Sequence, residues 1–61
     1  MAGKFELYTD EAGKYRWRLK SGNGEIIAVG EAYESRSGAV IGIESVKAHA
    51  PDAEIRRLLT T

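Results

Sequence analysis

An α+β fold is predicted for this 61-residue chain, a three-stranded antiparallel meander with one helix on its aromatic face and a C-terminal strand after it. Three features predict it. The run YRWRLK at 15–20 alternates strictly, placing Tyr15, Trp17 and Leu19 on one side of a strand and Arg16, Arg18 and Lys20 on the other. Glycine-bearing turn sequences, DEAG at 10–13 and Asn23-Gly24, separate that run from strand-like segments on both sides. Past residue 35, the spacing of Ala39, Ile43, Val46 and Ala50 changes from a period of two to a narrow helical stripe.

Taken in order, the first strand spans 4–9, the second 15–20 and the third 25–29, a helix spans 36–49, and a last strand spans 53–59. Residues 10–13 suit a type I turn with Gly13 in the left-handed position of a bulge. With Asp10 facing Lys14, Leu7 lies opposite Trp17, Phe5 opposite Leu19, Glu6 opposite Arg18 and Tyr8 opposite Arg16. Asn23-Gly24 reads as a two-residue type I′ turn, which pairs Leu19 with Ala28 and Arg18 with Val29. Cross-strand partners share a face. One side of the sheet therefore gathers Phe5, Leu7, Tyr15, Trp17, Leu19, Ile26 and Ala28 as the core; the other gathers Lys4, Glu6, Tyr8, Arg16, Arg18 and Lys20, with Ile27 and Val29.

Ser35 is placed to cap the helix and Pro51 to stop it. Gly42, on the margin of the apolar stripe, costs roughly 1 kcal/mol of helix propensity relative to Ala, a cost offset if it admits a bulky ring such as Trp17. Gly30 lets the chain bend out of the sheet toward Tyr33.

Composition narrows the function classes. Nine basic and nine acidic residues cancel, so nothing in the overall charge attracts nucleic acid or anionic membrane. Cysteine is absent and there is one histidine, which excludes disulfides and thiolate metal sites, and no cofactor or metal is expected. No apolar run approaches the roughly 20 residues of a membrane-spanning helix, and MAGKFELY lacks the apolar stretch of a signal peptide, so the expectation is a cytoplasmic location with no membrane contact.

Ser45, His49 and Asp52 are close in sequence, yet a serine nucleophile needs an oxyanion hole and a concave pocket, and so small a domain has little interior to spare. The expectation is no enzyme. The glycines of SGNGEIIAVG resemble a phosphate loop only in composition, because a strand follows them where such a loop needs a helix.

Together GKFELY, YRWRLK, NGEIIA, GIESVK and APDAEI, in this order and spacing from Gly3 to Ile55, resemble the YegP-like family, a bacterial domain of unknown function. The resemblance implies three strands, a helix and C-terminal strand material. Many members hold two tandem copies; single-copy members pair as homodimers whose units share one sheet and exchange C-terminal strands. A homodimer is thus implied for this single copy. The chain differs from the usual pattern at Ile41 and in its more basic and apolar tail.

Independently, a chain this short without disulfides or metal needs extra burial. Ile27, Val29, Ile41, Leu58 and Leu59 have no evident partner within one chain and, with Ile55, form the expected dimer interface. The expected binding surface is Lys4, Tyr8, Arg16, Arg18 and Lys20, with Tyr8 beside Arg16 as a stacking or cation-π partner. The leading function is a protein-interaction or accessory module; the alternative is weak binding of single-stranded nucleic acid through that basic face.

Overall fold

The computed structural model describes residues 2–59. Strand β1 (Lys4–Thr9), β2 (Tyr15–Lys20) and β3 (Ile26–Val29) form one antiparallel sheet in the order β1-β2-β3, and α1 (Arg36–His49) lies across the central strand. A single 3-10 turn, Ala50–Asp52, ends the helix.

The first hairpin is built by Asp10. Its side chain accepts from the backbone N–H groups of Ala12 and Lys14, both at 2.9 Å, while Gly13 takes φ 81°. An Asx-type turn of this kind tolerates only a residue without Cβ strain at its left-handed position. The resulting register pairs Leu7 with Trp17, Phe5 with Leu19 and Glu6 with Arg18.

The second hairpin corrects the type I′ expectation. It repeats the first: Gly24 N–H donates to the Ser21 carbonyl at 2.9 Å, Ser21 N–H donates to the Glu25 carbonyl at 2.8 Å, and only Gly24 has positive φ. Asn23 keeps ordinary φ because its Oδ1 accepts locally from the Glu25 N–H at 3.3 Å and from the Ser21 hydroxyl. The three-residue loop shifts pairing by one, so Lys20 faces Ile26; a bulge at Ile27 then restores Leu19 to Ala28 and Arg18 to Val29. Glu25 falls in the turn and β3 begins at Ile26. Ile26 moves from the expected core side to the face shared with Lys20, where it is exposed.

The core is small. Its buried residues are Trp17, 5% exposed, and Ala39, fully buried, with Phe5 edge-on to the indole at a centroid distance of 5.5 Å. Gly30 has no room for a side chain because the Trp17 indole covers it, and its N–H donates to the Trp17 carbonyl at 2.9 Å. Beyond Gly30 the chain crosses to Tyr33, which exchanges both backbone hydrogen bonds with Tyr15 (2.9 and 2.8 Å). The ring received by Gly42 is that of Tyr33, not Trp17.

Ser35 caps α1, its Oγ accepting from the Gly38 N–H at 3.0 Å. After Pro51 the chain turns extended at Ala53, and residues 53–59 pair with no strand of the described chain, so the C-terminal strand is not formed within one copy. The extension is visible in overall dimensions. The radius of gyration is 13.4 Å, against about 10 Å for a compact domain of this length.

Candidate functional site

Two surfaces remain open: the charged face of the sheet and the apolar edge of β3. On the first, alternation in β1 and β2 gathers Lys4, Glu6, Tyr8, Arg16, Arg18 and Lys20. Glu6 is the hub. Its carboxylate receives Arg18 Nε at 2.7 Å, Lys20 Nζ at 3.4 Å and Lys4 Nζ at 3.9 Å. The Arg18 hydrogen bond, aided by Lys20, holds the Glu6 carboxyl below its usual range, with partial desolvation opposing.

Arg16 is engaged separately, its guanidinium reaching Asp10 Oδ2 at 3.5 Å and donating to the Gly30 carbonyl at 3.3 Å. Asp10 is likewise held low, first by the Lys14 backbone N–H, against some desolvation, then by Ala12 and Arg16. The cation over the Tyr8 ring is Arg18, 5.2 Å from the centroid, and not Arg16. Arg16 is opposite Tyr8 in register but is drawn aside to Asp10. Sequence reasoning passed over Asp10 as a site residue, although an acid two residues before its own turn partner and six before an arginine is a usable signal.

Every cation of the expected binding surface thus has an anionic partner within the face. Lys4, Arg18 and Lys20 share the one Glu6 carboxylate and Arg16 has Asp10, so four cations face two carboxylates and the surface keeps a local excess of positive charge.

The second surface comprises Ile26, Ile27 and Val29 of β3, each more than half exposed, with Ile41 on the outer side of α1. Ile55, Leu58 and Leu59 of the extended tail are 102%, 74% and 92% exposed. The structure places β3 and the tail in the open, and does not bring Ile41 against either within one chain.

Ser45 and His49 do meet, with Oγ and Nδ1 3.4 Å apart, but Nδ1 is also 2.8 Å from the Ser45 carbonyl. A carbonyl only accepts, so Nδ1 carries the hydrogen and is not a base toward the serine. The described residues enclose no pocket and hold no cluster of three metal-ligating side chains. No helix is long and apolar enough to cross a membrane.

The family model described as "Domain of unknown function (DUF1508)" matches residues 10–56. The chain belongs to the DUF1508 family. A UPF0339 protein of Treponema denticola is 66% identical over 55 residues, covering 90% of this chain and 95% of the relative. The YegP-like resemblance names the same family. A UPF0339 protein of Stutzerimonas stutzeri is 52% identical over 52 residues, which are 85% of this chain and 47% of that one. The solution NMR structure of a protein from Haloferax volcanii superposes with a TM-score of 0.83 at 50% identity, covering 93% of this DUF1508 chain and 97% of its own. That archaeal neighbour extends the family beyond the bacterial range expected from sequence.

Proposed function

We propose that this DUF1508 chain is a cytoplasmic, non-catalytic protein-interaction or accessory domain that works as a homodimer, two copies sharing one sheet and exchanging residues 53–59. The observation that carries the reading is surface area. The chain exposes 5148 Å², about 1,200 Å² more than a compact monomer of its mass would. Six of the exposed large apolar side chains, Ile26, Ile27, Val29, Ile55, Leu58 and Leu59, belong to β3 and the tail, and a standard interface removes about 800 Å² per partner. The relative from Stutzerimonas stutzeri, roughly twice as long as its match to this chain, has room for a second copy in one polypeptide.

Exchange makes folding and association one event. A chain ending at Asp52 should therefore be unfolded or aggregated by heteronuclear NMR while the full chain gives a dispersed spectrum; a folded, monomeric truncation would remove the exchanged dimer. The interaction reading is tested separately by titrating the full chain against labelled single-stranded oligonucleotide. No tight binding is expected at about 0.15 M salt, because the chain as a whole is neutral and lacks the broad positive field of a nucleic-acid binder. Tight, steeply salt-dependent binding that is lost in Arg16→Glu with Arg18→Glu would replace the interaction reading with nucleic-acid binding.

A further inference from the structure

We propose that Asn23 is a site of spontaneous covalent modification: the Gly24 backbone nitrogen closes on the Asn23 carboxamide, ammonia leaves, and water reopens the ring to isoaspartate, lengthening the loop that sets the β2–β3 pairing. Asn23 is the single asparagine of the chain, which has no glutamine, so no other side-chain amide competes.

Asn23 and Gly24 are exposed at the tip of the second hairpin. The Asn23 Oδ1 accepts from the Glu25 N–H, two residues on, at 3.3 Å and from the Ser21 hydroxyl. An acceptor bonded in that way folds its carboxamide over the following peptide bond, which brings Cγ to the side of the Gly24 nitrogen. The same two donors draw electron density from Cγ, and they are aimed at the oxygen on which negative charge builds as the nitrogen adds. Access is open: no residue beyond its chain neighbours comes within 4 Å of where a Cβ on Gly24 would stand.

The first hairpin shows what the reaction needs. Asp10 Oδ1 likewise accepts from the N–H two residues on, that of Ala12, at 2.9 Å. Asp10 is held ionised, however, and a carboxylate repels a nucleophile, while the Glu11 side chain crowds the next peptide nitrogen. One contact slows Asn23. The Gly24 N–H donates to the Ser21 carbonyl at 2.9 Å and must leave it as the nitrogen loses its proton, an opening confined to the loop tip. The folded chain therefore reacts, and reacts more slowly than the unfolded one.

The Gly24 nitrogen gives its proton to solvent base and bonds to Cγ; the Cγ–Nδ2 bond breaks, and Nδ2 departs as ammonia with a proton from water. One water then opens the five-membered imide. Cleavage from Cγ gives aspartate; cleavage from the backbone carbonyl carbon gives isoaspartate, with Gly24 now carried on Cγ. Water is consumed, ammonia is released, and no oxidation state changes. Isoaspartate adds a methylene to the main chain between Ser21 and Glu25, whose backbone bonds close this loop, and the formally neutral chain gains one negative charge. The pairing at risk is that of Lys20 with Ile26, which the loop length imposes.

The full chain, held in warm, mildly alkaline buffer, is followed by intact mass and anion exchange, with peptide mapping of the product. The expected product is heavier by the difference between an amide and an acid, is one charge more negative, and carries more isoaspartate than aspartate at 23; its rate of formation rises with pH and rises again in urea. An unchanged mass in the folded chain while the urea-unfolded chain converts would mean that the turn protects Asn23 and would overturn the proposal, as would aspartate as the main product. Ser21→Ala, shown to be folded by heteronuclear NMR, should react about fivefold more slowly for want of one hydrogen bond to Oδ1; an equal or faster rate would contradict the part given to that hydroxyl. The purified isoaspartyl form should lose the cross-peaks between Lys20 and Ile26 that Asn23→Asp keeps, and their persistence would contradict the effect on pairing.

Discussion

Tyr33 lies against the bare backbone of Gly42, its phenolic end occupying the space a Cβ would need. A Cβ placed on Gly38, one turn earlier, would stand 3.7 Å from the same ring, so two glycines four residues apart form a shallow groove on α1. The contact joins the helix to the stretch that follows β3, because Tyr33 is itself held to Tyr15 by two backbone hydrogen bonds.

This geometry separates two superficially alike substitutions. Gly30→Ala drives a methyl into the Trp17 indole, which is locked in the core, and should destabilise by about 1–3 kcal/mol. Gly42→Ala meets the far end of the Tyr33 side chain, which can swing outward, and gains roughly 1 kcal/mol of helix propensity. Urea denaturation should rank Gly30→Ala as the more damaging; the reverse order would mean that Tyr33, and not Trp17, is the fixed ring.

Neighbours on β2 should behave oppositely. Trp17→Ala removes the main core side chain and should cost about 3–5 kcal/mol, enough to unfold so small a domain. Arg18→Ala loses a surface ion pair and a ring contact and should cost under about 1 kcal/mol. Circular dichroism of the two variants checks the assignment of faces, which equal losses would contradict.

Acid should weaken the fold through two carboxylates. Glu6 and Asp10 are both held below their usual range in the folded chain, so the unfolded chain takes up protons first as pH falls. Their stabilisation is fully present above the usual carboxylate range and is lost as pH drops through the lowered folded values. Urea midpoints should be flat from neutrality to about pH 5 and fall below about pH 4. The acid limb should shrink in Glu6→Gln with Asp10→Asn, and an unchanged limb in that variant would place the acid sensitivity elsewhere.

Much of the meander and its helix was legible because local signals agreed. The Asp10 turn set the register of β1 against β2, and Ser35 and Pro51 bracketed the helix. Asn23-Gly24 misled because an asparagine can satisfy itself through its side chain without entering positive φ, and the bulge at Ile27 then hid the error at Leu19 and Arg18 while exposing it at Ile26. The site residues of the charged face were readable by alternation, but not their pairing. Arg18 reaches the Tyr8 ring and Arg16 leaves it only because Asp10, fixed by its turn, draws Arg16 away. The Tyr33 groove was carried by the spacing of Gly38 and Gly42, a pattern that shows meaning only once the bridge to Tyr15 places a ring above it.

Residues 53–59 form no strand, and the outer edge of β3 pairs with no further strand among the described residues. Both observations have one explanation if two copies complete each other. Sedimentation equilibrium across the micromolar range measures this most directly. The account predicts a species of twice the 6.7 kDa chain mass, dissociating only as it unfolds; a folded species at the mass of one chain, unchanged by dilution, would contradict it.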